Sequence, residues 1–510
     1  MVWWQWTLVI VVSLLVLLTL YDLLQRKHAI LRTFPLIGHL RFILEKIGPE
    51  LRQYIVTSNE AERPFSRDQR RWIYSSAKQM DNHFGFGTSS DLETTPGYLV
   101  IRHSPFPLSN PTRDSAAFDP DHRLVMAKVL GGPRCRAKAF RMPSVVNISS
   151  MSYGALSSAA IVALNRGAAL ADCMHGTGEG GVSPYHHEGG DLTWQIGTGY
   201  FGCRDERGNF SLDRFLEVVE INPSIRAIEI KLSQGAKPGL GGLLPAAKVT
   251  PEVSQIRGIP VGVDCASPAA HTAFRDEDSL LDFVELLGTS TGLPVGIKSA
   301  VGDESFFARL ADLMVDGQRG VDWITIDGGE GGTGAGPLSF VDHVALPFKI
   351  GFSHVYRVFA ERELTDDVVF IGSGRLGLPH FALLAFALGC DGINVGREAM
   401  LAIGCIQAQK CHTGHCPTGV TSNNWWRMRG LDPESKSVRL ASYVVELRQE
   451  LLQLSRACGV THPALVTLDH IEILDDHLGS RSGANVFDYE PGWGRPGSAD
   501  CAALLASSTD

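Results

Sequence analysis

Three cysteines, Cys405, Cys411 and Cys416, sit within twelve residues of the segment GCIQAQKCHTGHCPTGV, spaced C-x5-C-x4-C. Thiolates this close in one segment can converge on a soft metal centre. A zinc half-site, or a core cysteine beside a loop pair, would also explain three thiols, but the spacing lacks the CxxC hairpins usual at zinc. Three close thiolates suit a three-iron cluster, or a four-iron cluster with a ligand from elsewhere. Just upstream lie two Gly-rich turns, IGSGRLG (371–377) and NVGREAM (394–400). Gly372, Gly374 and Gly396 would let the backbone approach a phosphate, and Arg375 or Arg397 could add charge. One GxGxxG is weak alone; two Gly turns at successive strand ends are stronger. A phosphate cradle beside an iron–sulfur segment is the pattern of a flavin enzyme that exchanges electrons with its cluster.

Other charged residues fall where a site would need them. Lys298 ends the run PVGIKSA. A lysine inside a barrel mouth is costly without an anion. Beside a flavin it would stabilise the reduced anionic ring; the plainer reading is a structural pair with Asp327 or Glu179. Loops at Gly178–Gly181, Gly235–Gly239 and Gly328–Gly336 bring Glu179 and Lys237 to the same place, and Gly328 and Gly329 are expected at the cofactor. A carboxylate and an ammonium facing a ligand could bind an oxo-acid or relay a proton. His175, His186, His187, His271 and His343 lack metal-ligand spacing and read as core or surface residues.

These residues need a scaffold. From about residue 140, short β-branched runs alternate with Gly/Ser turns and helical stretches: 145–149, 171–176, 227–232, 261–266, 294–300, 323–328, 368–373 and 392–396. TWQIGTG (193–199) reads as a ninth, inserted hairpin segment. Strands alternating with helices imply a parallel sheet. Eight units, with Glu179, Gln234, Lys237, Lys298 and Asp327 at or just after strand C-termini, favour a closed (β/α)8 TIM barrel, whose active sites form at that mouth. The expected divisions are a transmembrane anchor (1–24), a helical juxtamembrane region and lead-in (25–139), the barrel (140–480) and an irregular tail (481–510). Within the second, Ile43 to Tyr54 reads as a short helix broken at Gly48-Pro49.

The 510 residues carry net charge −9, which argues against a nucleic-acid binder. Seven further cysteines are scattered singly, as in a reducing compartment rather than a disulfide framework. Val2 to Tyr21 holds no charge. Twenty residues at helical rise span about 30 Å, a hydrocarbon core. Trp3, Trp4 and Trp6 mark one interface and Tyr21 the other; Arg26, Lys27 and Arg32 follow. The positive-inside rule then predicts a single-pass anchor with the bulk of the chain in the cytoplasm. A cleaved signal peptide would need a basic start and a small-residue cleavage site.

Residues 140 to about 425 resemble the FMN-binding synthase domain of glutamate synthase. SSMSYGALS (149–157), HGTGEGG (175–181), LSQGAKPGLGGLLPAAKV (232–249), DGGEGGTGAGP (327–337), GSGRLG (372–377) and CIQAQKCHTGHCPTGV (405–420) carry the resemblance, in the family's order. It implies a (β/α)8 barrel, FMN, a [3Fe–4S] cluster, and reductive amination of 2-oxoglutarate to glutamate through 2-iminoglutarate. By motif, Met151, Ser152 and Gly154 would line flavin and substrate. Gln195, Gln234 and Lys298 would contact the flavin ring, and Gly374, Gly396 and Arg397 its phosphate. Glu179 and Lys237 would face the substrate, and Cys405, Cys411 and Cys416 would ligate iron.

The chain also departs from the family. Its motif usually reads GEGGQLPG after the lysine; here it is GLGGLLPA, so Leu240 replaces a Glu and Leu243 a Gln that helps bind 2-oxoglutarate. Losing such a hydrogen bond costs about 1–3 kcal/mol. Nothing in the sequence resembles the family's amidotransferase or β-helix domain, nor a second nucleotide-binding module. External ammonia is therefore expected as the nitrogen source. A partner such as a ferredoxin, a membrane carrier or a reductase subunit is expected to bring electrons. The competing readings are an FMN oxidoreductase acting on another small carboxylate or amine, which the two leucines favour, and a tethered electron carrier.

Overall fold

The computed structural model describes all residues except 1, 26–27, 84, 93–94, 116–117 and 508–510. Arg26 and Lys27 of the basic flank therefore lie outside the described residues. The chain forms two compact units, Met1–Arg70 and Arg71–Asp510.

The first unit is helical. Helix α1 (Trp3–Leu24) is the one helix among the described residues long and apolar enough to cross a membrane, with mean hydropathy 2.5. Helix α2 (Gly38–Leu51) runs through Pro49 and continues as a π turn over Arg52–Val56. The break expected at Gly48-Pro49 is absent. Proline removes one backbone donor from the ladder, and the π turn follows directly after it, where such single turns are tolerated.

The second unit holds a closed parallel barrel of eight strands: β1 (Val146–Ile148), β2 (His175–Gly176), β3 (Leu192–Ile196), β4 (Ile225–Lys231), β5 (Val295–Ser299), β6 (Trp323–Asp327), β7 (Val369–Ser373) and β8 (Gly392–Val395). The fold class is the expected one, with one exchange of strands. The TWQIG run is β3 of the barrel, with Leu192, Trp194 and Ile196 buried. The VGVDCA run is outside it. Val261 and Val263 are exposed, and only Cys265–Ala266 is strand, paired antiparallel with Leu243–Leu244. A barrel strand is covered on both faces and needs near-continuous burial; 261–266 does not have it.

Helices follow most strands and cover the barrel, among them Ser158–Leu170, Leu212–Ile221, Glu277–Thr291, Ser305–Met314, Phe348–Ala360 and Pro379–Ala387. A hairpin of Val129–Leu130 and Phe140–Arg141 closes the N-terminal end, where Met126, Leu130 and Met142 pack against Met174, Ala227, Trp323 and Val369. Gly296 is required there, because a Cβ would stand 2.0 Å from the Trp323 indole. The last thirty residues, expected to be irregular, carry helices at Gly483–Phe487 and Ser498–Ser507, with Tyr489 stacked on Tyr356 at 5.4 Å. The C-terminal strand ends form the mouth.

Candidate active site

Two ion pairs occupy the mouth. Lys298, one residue from the end of β5, reaches Asp327, the last residue of β6, at 3.3 Å. Asp327 also accepts the Gly235 backbone N–H at 3.1 Å. Burial alone would neutralise both groups. Asp327 and Glu229 nevertheless hold the Lys298 ammonium above its ordinary value, and Lys298 holds Asp327 below the carboxylate range. The structural pair anticipated for Lys298 thus forms with Asp327, not Glu179.

Glu179 pairs instead with Lys231, at 3.2 Å. Lys231 closes β4 and also donates to Gln234 Oε1 at 2.6 Å, while Gln234 Nε2 donates to Thr333 Oγ1 at 3.0 Å. Burial pushes Glu179 up, but Lys231, Arg257 and Lys237 outweigh it and hold the carboxyl below its usual range. The Glu179 carboxylate lies against two glycines. A Cβ on Gly197 or Gly242 would stand 2.5 or 2.3 Å from its oxygens.

Lys237 is 5% exposed and has no carboxylate within 4 Å among the described residues. Burial, then the neighbouring Lys231, lowers its pKa against the pull of Glu179. Arg257 ends the helix Pro251–Arg257, in the long excursion after β4, and its guanidinium donates to the Tyr153 carbonyl at 3.0 Å. Burial lowers its pKa; Cys265 and Glu179 oppose. Lys231, Lys237 and Arg257 therefore surround one carboxylate. The surplus positive charge, in a mouth shielded from water, suits a small anion.

The floor below is polar. Glu229 accepts from Gln195 Nε2 at 2.7 Å and from Thr325 Oγ1 at 2.8 Å. Sequence reasoning missed Lys231, Glu229 and Arg257. For the first two a signal existed: in IEIK, Glu229 and Lys231 alternate with buried Ile228 and Ile230, so both point into the barrel. Arg257 had none, since its carbonyl partner lies 104 residues away.

The other expected positions are spread around the rim. Met151, Ser152 and Gly154 follow β1; the loop after β2 presses on them so closely that a Cβ on Gly178 would stand 2.3 Å from the Ser152 nitrogen. Gly328 donates to the Ser373 carbonyl at 2.9 Å and Gly329 to the Leu346 carbonyl at 2.8 Å. Gly374 follows β7 with φ +127°, a backbone conformation that favours glycine. Gly372 lies within β7, and a Cβ there would meet Leu376 and Phe348 at 2.8 and 2.9 Å, so its bareness serves packing. Gly396 precedes the helix Arg397–Ala402. Arg397 donates to the Glu330 carbonyl, spanning to the loop after β6. Leu240 and Leu243 are 39% and 47% exposed.

Cys411 and Cys416 both lie beside the Thr421 side chain, and both act electrostatically on Lys248, whose ammonium donates to the Cys411 carbonyl at 3.2 Å. The Gln407 N–H points at Cys405 Sγ, 3.4 Å away, and Tyr74 donates to the Cys405 carbonyl at 2.8 Å. Donors aimed at sulfur are what a thiolate-bound cluster uses to tune itself. Among the described residues, however, no three His, Cys, Asp or Glu side chains are grouped as for a metal ion.

The profile described as a conserved region in glutamate synthase matches residues 115–461. The glutamate synthase large subunit-like protein YerD of Bacillus subtilis (strain 168) is 36% identical over 477 residues, 88% of this chain and 90% of that protein. The archaeal glutamate synthase [NADPH] of Methanocaldococcus jannaschii is 33% identical over 330 residues, and the chain spans only 61% of its length. The ferredoxin-dependent glutamate synthase of Pyropia yezoensis is 34% identical over 212 residues, 13% of its length. With the profile covering most of the barrel unit and YerD matching nearly end to end, the chain belongs to the glutamate synthase family and is an oxidoreductase of that type.

Proposed function

We propose that the barrel binds FMN and catalyses the reductive amination of a 2-oxo acid, 2-oxoglutarate to glutamate, with external ammonia and electrons from a partner protein. The observation that carries this reading is the cationic mouth, where Lys231, Lys237 and Arg257 surround Glu179. The residues present suit the cofactor. Lys298 offers a buried ammonium to an anionic ring, and the turns at Gly374 and Gly396 offer backbone to a phosphate. Met151, Ser152, Gln195, Gln234, Gly328 and Gly329 would line it, and Arg397 would add charge beside the phosphate. Bound FMN supplies the two-electron reduction of an imine carbon.

The chain's own residues do the rest. Lys237 and Arg257 hold the substrate carboxylates. Glu179, kept ionised, accepts hydrogen bonds from incoming ammonia, orients it toward the keto carbon, and relays a proton from the nitrogen to the keto oxygen as the C–N bond forms, which makes that oxygen a hydroxyl. Lys237, its proton loosened by burial, delivers that proton from Nζ to this hydroxyl as the C–O bond breaks, so that water leaves and the C=N bond forms. Cys405, Cys411 and Cys416 would hold a [3Fe–4S] cluster, a reading that rests on the motif and on the donors around the sulfurs. Two of the relatives are named for NADPH and ferredoxin; for this chain a ferredoxin or reductase subunit would fill that role. Helix α1 would anchor the protein to a membrane as a single pass, with the barrel cytoplasmic.

A second reading keeps the cofactor and changes the substrate. Exposed Leu240 and Leu243 would receive an apolar side chain on another small carboxylate. Titrating 2-oxo acids of increasing side-chain polarity against the oxidised flavin, in wild type and Lys237→Ala, tests both readings. Saturable spectral change that Lys237→Ala abolishes supports an anion mouth, and the preferred side chain selects the substrate. A flavin that responds to no carboxylate would refute both and leave a tethered electron carrier.

A further inference from the structure

Helix α2 presents a surface that no catalytic role uses. Leu40, Ile43, Leu44, Ile47 and Leu51 are spaced three and four residues apart, so they share one face. They are 56%, 53%, 52%, 43% and 40% exposed, and Ile55 in the π turn beyond them is 75% exposed. Arg41, Lys46 and Arg52 flank the stripe, and Arg41 pairs along the helix with Glu45 at 2.8 Å. An uncovered apolar stripe of this length is foreign to a protein face kept in water. With charged residues of both signs, among them Arg41, Lys46, Arg52 and Glu50, along its borders, it has the amphipathic composition of a helix lying in a lipid interface.

Its starting point is fixed at the foot of α1. Asp22, in the last turn of α1, is fully buried, and both its oxygens lie 2.9 Å from His39 Nε2. One of them also accepts the Leu36 backbone N–H at 3.1 Å. Leu36 has φ 61°, a left-handed conformation costly for a leucine, so the turn is held by these bonds and not by local preference. The second residue of α2 is thus clamped to the last turn of the apolar helix.

We propose that the Leu40–Leu51 face of α2 lies on the bilayer surface as a second, in-plane membrane contact. The occupant is lipid because the stripe follows the end of a 22-residue helix whose own apolar surface is almost wholly exposed. This inference rests on reading α1 as a membrane span.

The test uses the full chain in nanodiscs of phosphatidylcholine, unbrominated or brominated in the acyl chains. A fluorescent amino acid is incorporated singly at Val12, Leu44, Ile47, Arg41 or Glu45. The expected result is quenching by brominated lipid of about twofold or more at Val12, Leu44 and Ile47, with little at Arg41 and Glu45. Quenching at Val12 but not at Leu44 and Ile47 would overturn the inference while leaving the span intact. No quenching at Val12 would overturn both. A blue shift at Leu44 and Ile47 without bromine quenching would mean that a protein, such as a second copy, covers the face, and would overturn it too.

Discussion

The strand ends of the barrel and the lip beyond β4 solve different problems. At the strand ends, charges are buried and bound. Lys298 meets Asp327, Lys231 meets Glu179, and Glu229 is held by Gln195 and Thr325. At the lip, Leu240 and Leu243 are exposed, Leu243 in a two-residue strand paired with Cys265–Ala266. The strand-borne charges are costly to alter, because each is desolvated and leaves a partner unpaired. The lip residues are cheap to alter. Under the proposed function, the reaction is kept at the strand ends and the choice of substrate is made at the lip.

The contrast is broken most directly at Lys298. Lys298→Met leaves Asp327 buried without its cation, and breaking such a pair costs about 3–5 kcal/mol. The expected result is a lower urea midpoint and loss of bound flavin, read by denaturation and by absorbance of the purified protein. Unchanged stability and flavin content would mean that the strand ends are as tolerant as the lip. Glu179→Gln keeps the shape and removes the charge. It should lower turnover by about 10²- to 10⁴-fold, the usual weight of a group that manages protons, while flavin content stays. Leu243→Gln, at the lip, should tighten 2-oxoglutarate by about 1–3 kcal/mol if a hydrogen bond is regained, with stability unmoved. A change in stability without a change in KM would place Leu243 in the framework.

The smallest effect concerns acid. His175 and His462 are buried and held neutral, with pKa values pushed down by burial to about 3 and about 4. His462 Nε2–H donates to the Val125 carbonyl, and its Nδ1 accepts the Ala464 N–H, so a second proton would break a bond. Unfolded, both titrate near 6.5. Below pH 6.5, down to about 4 for His462 and about 3 for His175, the unfolded chain binds more protons, so stability is full above 6.5 and lost as pH falls through that window. A His462→Gln variant should show a shallower loss of melting temperature between pH 7 and 4.5 than wild type.

How far the sequence could carry these conclusions depended on how local the cause was. The glycine turns, Glu179, Lys298 and the alternation of strands with helices were legible, because each is set by residues within a few positions. The exchange of TWQIG for VGVDCA was not. Both runs are β-branched or aromatic, and only tertiary packing separates Trp194, fully covered and stacked on Phe215, from Val261, 54% exposed. Arg257 was invisible for the same reason. So was Tyr74, which reaches the Cys405 carbonyl across 331 residues. The helix through Pro49 shows the reverse case, a local breaker that a following π turn absorbs.

If the cationic mouth aminates a 2-oxo acid, reduced flavin should pass its electrons to that acid only when ammonia is present. The most direct measurement is anaerobic: reduce the flavin-loaded protein, add 2-oxoglutarate with ammonium, and follow flavin reoxidation while assaying glutamate. Reoxidation with one glutamate formed per flavin is expected, lost in Glu179→Gln. A reduced flavin that stays reduced with 2-oxoglutarate and every other 2-oxo acid, in protein with full flavin content, would contradict it.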